Sequence, residues 1–291
     1  MGEDALRGLY ARTFGAPPES AEPLAADGSP RRLVRLAGGG RSVIGAIGPD
    51  PRENRAFLGF SRSFRAAGLN VPQIFAEDQG AGVYIEEDLG DTNLFQYLSA
   101  NRAGGRIAEP VLAFYKKVVS ALPAFQVDGG RTLDYSLCYP RAAFDRQSML
   151  WDLNHFKYYF LRLSGMAFDE QALEDDFARF ADYLLGAPAD YFLYRDFQSR
   201  NVMAREGVPW FIDYQGGRKG ALPYDIASLL FDAKADVPFD LRSLLLSRYL
   251  DAAASRTKVN RKEFLSLYPG FVYIRIMQAL GAYGLDRKSV V

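Results

Sequence analysis

The sequence predicts an α+β fold of two lobes, a small β-rich N-lobe (residues 1–88) and a larger, mostly helical C-lobe (residues 89–291). Two observations carry the prediction. Short alternating segments and glycine turns crowd the chain up to Asp88-Leu89-Gly90-Asp91, and long apolar stripes at helical spacing follow it. A length of 291 residues suits one large domain or two modest lobes, and 48% hydrophobic with 24% charged residues excludes a mostly disordered chain.

Residues 4–14 read as a short helix, followed by a Pro/Glu/Ala-rich loop carrying Pro17, Pro18 and Pro23. Arg32–Leu36 alternates like a strand and Ser42–Ile47 supplies a second, with Gly38-Gly39-Gly40 as the hairpin turn between them. Asp50-Pro51-Arg52-Glu53 combines a cap, a first-turn proline and a glutamate three residues after the cap, so a helix starts there. Phe57, Phe60, Phe64 and Ala67 form its stripe and Gly68 ends it; strands follow near Gln73–Phe75 and Val83–Glu86. In the second lobe one helix is marked by Val111, Tyr115, Val118, Leu122 and Phe125. Another is marked by Met149, Leu153, Phe156, Phe160 and Leu163, and a third by Leu173, Phe177, Phe180 and Leu184. A compact β segment, Tyr191–Tyr194, Val202-Met203 and Trp210–Asp213, precedes a helix over Pro223–Ala233 and two more at about 238–254 and 260–281.

Several function classes are excluded. Thirty-five Lys+Arg balance 35 Asp+Glu, so the basic excess of a nucleic-acid binder is missing and no nucleic-acid partner is expected. No apolar run approaches the roughly 18 residues of a membrane span. The acidic start Met1-Gly2-Glu3-Asp4-Ala5 lacks the pattern of a signal peptide, so the expected compartment is the cytoplasm. Cys138 and His155, each the sole residue of its type, cannot build a disulfide, a zinc set or an HExxH site. His155 reads as a polar helix-surface residue, with a substrate role as the less favoured alternative. The P-loop motif does not occur. The first lysine is Lys116, so whatever the first third binds is held without an ammonium group.

The informative stretch is Tyr194-Arg195-Asp196-Phe197-Gln198-Ser199-Arg200-Asn201 with Ile212-Asp213-Tyr214. Asn201 lies five residues after Asp196 and Asp213 twelve beyond that, all on loops leaving short strands. Phosphoryl transfer asks for such a set. One carboxylate (Asp196) orients a substrate hydroxyl and accepts its proton, and a second carboxylate (Asp213) with an amide oxygen (Asn201) supplies hard ligands for Mg²⁺ on the phosphates of ATP.

These loops resemble the catalytic and metal loops of the protein-kinase-like superfamily in its aminoglycoside-phosphotransferase branch. Tyr224-Asp225-Ile226-Ala227-Ser228-Leu229-Leu230 resembles the helix opening of that branch, and Glu86-Glu87-Asp88-Leu89-Gly90 its interlobe hinge. Within the branch the pattern is most similar to the anomeric kinases of N-acetylmuramate and N-acetylglucosamine in cell-wall recycling. Ser29-Pro30-Arg31-Arg32, Gly68 to Pro72, Arg195-Asp196, Arg200-Asn201-Val202-Met203 and Asp213-Tyr214-Gln215 carry that similarity, over roughly residues 25–283. The resemblance implies adenine against the backbone of Glu86, Glu87 and Asp88, and a two-lobed kinase that phosphorylates a small acceptor, an amino sugar in the first instance. Other acceptors within the branch (an aminoglycoside, choline or homoserine) and a non-catalytic nucleotide-binding module are the alternatives. An oligomeric state is not legible.

Two departures stand out. Tyr194 occupies the usual histidine position, and the strand lysine that pairs ATP's phosphates is missing. Arginine makes bidentate phosphate contacts and can replace it; Arg31, Arg32 and Arg35 are the candidates, Arg35 preferred. The family pattern also continues with further helix after Tyr283, where this chain stops at Val291. Asp225 reads as structural, a cap or an acceptor holding the catalytic loop. Glu53 reads either as a capping-box residue or as the partner of a phosphate-binding group. Gly216-Gly217-Arg218-Lys219-Gly220 reads as a flexible basic loop, either solvated or reaching the site mouth, where it would favour an anionic acceptor. Gln198, Arg200 and Gln215 are candidates for sugar contacts, because hydroxyl and amide groups demand both donors and acceptors.

Overall fold

A computed structural model describes residues 2–24, 30–103 and 106–288; Ser29 and Val291 lie outside the described residues. Helix α1 (Gly2–Phe14) places Leu6, Leu9 and Tyr10 against one face of a five-stranded antiparallel sheet of order β1-β2-β3-β5-β4. Alternation supplies the other half of that layer, since Val34 and Leu36 on β2 (Arg32–Gly38), Val43 on β3 (Arg41–Ile47) and Val83 and Ile85 on β5 (Val83–Glu87) all face α1. Gly39 and Gly40 turn the β2–β3 hairpin with φ of 60° and 73°, a conformation glycine adopts without a Cβ clash.

The Pro/Glu/Ala-rich segment is not all loop. Ser20–Pro23 forms β1 and pairs with Val34–Ala37. Its proline is tolerated because β1 is an edge strand, where one side of the ladder needs no donor. Strand β4 (Ile74–Asp78) closes the other edge and runs further than its sequence suggests.

Asp50 caps α2 (Pro51–Ala66) by accepting from Arg52 N at 2.8 Å, and the chain leaves the helix at Gly68. A short helix unforeseen in the sequence, α3 (Leu94–Ala100), is secured by reciprocal bonds of 2.9 Å between Asn93 and Gln96. A minimal hairpin, β6 (Arg102–Ala103) and β7 (Arg106–Ile107), leads into α4 (Glu109–Pro123), which runs through a π-helical turn (Ala124–Gly129) into α5 (Gly130–Thr132). Helix α6 (Arg146–Phe156) passes into a second π-helical turn, Lys157–Leu161. The wider turn rotates the stripe out of phase, so Leu163, expected inside, is 52% exposed. Helix α7 (Glu170–Leu184) follows.

The central β segment forms two small antiparallel pairs, β8 (Tyr191–Leu193) with β11 (Arg218–Gly220) and β9 (Val202–Arg205) with β10 (Val208–Phe211). Helices α8 (Pro223–Leu230), α9 (Phe239–Ala254) and α10 (Arg261–Lys288) complete the chain. Toward its C-terminal end α10 runs tight against α6 and its π-helical turn. A Cβ on Gly281 would lie 2.4 Å from His155 Nδ1, and one on Gly284 would lie 1.8 Å from the Tyr159 carbonyl oxygen. Among the described residues no helix is long and apolar enough to cross a membrane.

One apolar core runs without a break from α2 to α10. At its centre Phe64 packs against Phe125, Phe192 and Tyr214 with ring centroids 5.1–5.3 Å apart, while Phe57 stacks on Tyr214 at 5.2 Å and 8°. Phe64→Ala should therefore cost about 3–5 kcal/mol in urea unfolding with little change in the denaturant slope. A loss under 1 kcal/mol would show that the cluster collapses around the cavity.

Candidate active site

The loop after β8 is shaped by one carboxylate. Asp225, fully buried on α8, accepts from Tyr194 N at 2.8 Å, Arg195 N at 3.0 Å and Gln126 Nε2 at 3.0 Å. This is the holding role its sequence position suggests. Burial pushes its carboxyl up to about 7 while the three donors pull it back. For both amides to reach Asp225 the chain turns at Arg195, whose φ of 81° is rare outside glycine. The Arg195 guanidinium folds away onto Asp152 through bonds of 2.6 and 2.7 Å and takes the Tyr224 hydroxyl at 2.8 Å.

The turn leaves Asp196 at the crest, beside the loop that follows β10. Asn201 Nδ2 donates to the Asp196 carbonyl at 2.8 Å and to Asp213 Oδ2 at 3.2 Å. Tyr194, in the family's histidine position, donates its hydroxyl to the Ile212 carbonyl at 2.6 Å and so ties the two loops together. Asp213 itself sits at φ 68°. Asp196, Asn201 and Asp213 thus share one locus. Among the described residues no cluster of three or more His, Cys, Asp or Glu could hold a metal by itself. One carboxylate and one amide oxygen fit a hard divalent cation that takes its remaining ligands from phosphates and water.

The three candidate arginines diverge. Arg31, nearly buried, donates to Asp213 Oδ1 at 2.7 Å and to the Tyr84 hydroxyl at 3.3 Å. Arg35, preferred on sequence, instead spans Asp88 (2.8 Å) and Asp91 (2.7 Å), and exposed Arg32 pairs with Glu3 near α1. Alternation puts Arg32 on the α1 face, with Val34 and Leu36; Arg31 and Arg35 share the other face and differ in place along the chain, Arg31 just before β2 beside Asp213 and Arg35 within β2 beside Asp88. At the hinge, Asp88 also accepts from Ser42 and Gly90 N, and Glu87 accepts from Arg205 at 2.6 Å. Glu86 is half-buried with Oε2 sealed from solvent and unbonded, and burial pushes its carboxyl up to about 8 against the pull of Arg31.

A cavity of about 600 Å³ opens from this locus, lined by Asp196, Gln198, Arg200, Asp213 and Gln215. Gln215 also donates to Asp213 Oδ1 at 2.8 Å. Glu53 lines the cavity. The basic loop is corrected: Arg218 and Lys219 belong to β11. Arg218 is 7% exposed, with Nε and Nη2 on the Gly216 carbonyl, and Lys219 lies over the Tyr135 ring. Pairing with β8 fixes this stretch, and neither side chain lines the cavity. His155 is not a plain surface residue; it shares the far wall with Arg275 and Gln278 of α10. The sequence predicts a helix at about 260–281 but gives no sign that Arg275 and Gln278 on it line a cavity.

A family model described as "Phosphotransferase enzyme family" matches residues 20–264. The chain is 30% identical over 238 residues to a Pseudomonas aeruginosa protein named N-acetylmuramate/N-acetylglucosamine kinase, covering 80% of this chain and 66% of that one. It is 28% identical to a Pseudomonas putida protein of the same name, covering 76% and 62%. The chain therefore spans about two-thirds of the length of these curated relatives or slightly less. In fold it is similar to Plasmodium vivax ethanolamine kinase, with a TM-score of 0.64 at 15% identity over 94% of this chain and 82% of that one. The α+β, two-lobed, protein-kinase-like architecture expected from the sequence is the one they share.

Two outcomes are expected. Asp225→Asn turns an amide N–H toward backbone donors, so it should cost about 1–3 kcal/mol per stranded group and lower the melting temperature; an unchanged melt would refute the holding role. Glu86, raised in the folded state, binds more protons folded than unfolded between its ordinary range and about 8. Stability should therefore fall as pH rises across that window. Glu86→Gln should remove that slope, gaining on the native protein at pH 9 but not at pH 5; parallel pH profiles would refute it.

Proposed function

The chain belongs to the phosphotransferase enzyme family, and from that premise we propose that it transfers a phosphoryl group from ATP to a hydroxyl of a small molecule. The acceptor is the anomeric hydroxyl of N-acetylmuramate or N-acetylglucosamine. The observation that carries the reading is that Asp196 and Asp213 line one cavity while Asn201 bridges them, bonded to the Asp196 carbonyl and to Asp213 Oδ2. The names of the Pseudomonas relatives support the amino sugars.

In this reading Asp196 orients the acceptor hydroxyl and takes its proton, held in place through its own carbonyl by Asn201. Asn201 and Asp213 would hold Mg²⁺, and Arg31, already beside Asp213, would contact the phosphates in place of the missing lysine. Adenine would lie against the backbone of Glu86–Asp88. When bound, Mg²⁺ and ATP supply the transferable group and the charge neutralisation. The protein's own contribution is position: Asn201 and Asp213 are held by part-buried side-chain hydrogen bonds, and Asp196 by its backbone, before the acceptor arrives.

The test is ADP release across a panel of amino sugars, choline and aminoglycosides, with the phosphorylated position read by product NMR. The expected product is the anomeric phosphate of an N-acetylated amino sugar. Asp196→Asn should lower turnover by about 10²–10⁴-fold while nucleotide affinity is kept. Full turnover in that variant removes the assigned base, and no release with any acceptor removes the enzymatic reading.

A further inference from the structure

We propose that Arg275 makes the far wall of the cavity a carboxylate site, so that the preferred acceptor carries an acid group as well as the hydroxyl to be phosphorylated. The inference rests on the kinase reading above and adds to it the charge of the acceptor.

Arg275 lies on α10 and is 6% exposed, yet it lines the same cavity as Asp196. Its Nε donates to Ser228 Oγ at 2.8 Å and its Nη1 to the Gln278 amide oxygen. Both partners are neutral, and they use two of the five donors a guanidinium offers. Other arginines withdrawn from solvent are answered by acids, Arg195 by Asp152, Arg31 by Asp213 and Arg35 by Asp88. Among the described residues no carboxylate pairs with Arg275. Arg218 has no such pair either, but two of its donors converge on one carbonyl and it lines no cavity.

An uncompensated guanidinium in a chamber wall is costly unless an anion completes it. Asp232 lines the same cavity but forms no ion pair with Arg275; its carboxylate accepts from Ser199 Oγ at 2.6 Å, Ser199 N at 3.1 Å and Lys234 N at 3.1 Å. His155, Lys234 and Gln278 line the same cavity and add donors. The cavity of about 600 Å³ has room for a molecule of monosaccharide size, and both Asp196 and Arg275 line it. Between the two sugars, N-acetylmuramate carries the carboxylate on its lactyl ether and N-acetylglucosamine does not.

The test compares N-acetylmuramate with its methyl ester, which keeps the shape and removes the charge. With Mg²⁺ and ATP, the native protein should show a KM about 10–100-fold lower for the acid than for the ester. In Arg275→Met this preference should collapse toward one, whatever loss is common to both ligands, and Arg275→Lys should restore part of it. Equal KM values in the native protein, or a preference that survives in Arg275→Met, would overturn the proposal. If Arg275→Met does not fold, the acid-to-ester ratio of the native protein decides alone. If the native protein phosphorylates neither ligand, the acceptor reading fails separately. Calorimetry of acid against ester then decides the carboxylate site, tighter binding of the acid upholding it and the lack of any such preference rejecting it.

Discussion

Two backbone amides pointing at one buried carboxylate organise this protein. Asp225 takes Tyr194 N and Arg195 N from a loop that would otherwise have no reason to turn so sharply. The backbone at Arg195 adopts a conformation that a non-glycine residue avoids, and the bonds to Asp225 hold it there. Asp196 inherits its position from that turn. The strain and the carboxylate are therefore one device, and the side chain of Arg195 extends it to α6 by locking onto Asp152.

A second constraint joins the two halves of the chain. Aromatic rings from α2, β8 and the loop after β10 pack together, and Tyr214 stacks on Phe57 and meets Phe64 edge-on while its hydroxyl lies 2.6 Å from that of Ser61. The residue next to Asp213 is thus buried in the same core as the long N-terminal helix. The geometry around Asp213 is transmitted through packing, with Arg31 arriving from the sheet side.

Much of this was legible in the sequence because it is local. The spacing from Asp196 to Asn201 to Asp213 specifies a strand–loop–strand unit, and the hydroxyl of Tyr194 is used for the hydrogen bond its position demands. What depends on tertiary placement was not legible. Arg31 and Arg35 have the same chemistry and the same parity along the chain, and only the position of the loop after β10 shows which one meets Asp213. Arg218 and Lys219 read as a loop because Gly216 and Gly217 precede them, yet pairing with β8 makes a strand and withdraws Arg218 from solvent. Arg275 is the clearest case. A lone arginine in an apolar helix carries no signal until the helices around it are placed.

The tight seam at Gly281 and Gly284 has a consequence for how such a chamber could diversify. A single methyl group at either position would lever the last turns of α10 outward, using His155 and Tyr159 as the fulcrum. The breadth of the acceptor compartment would change while Asp196, Asn201 and Asp213 stayed put. Ligand preference could then drift by the tilt of one terminal helix, independently of the chemistry at the other end.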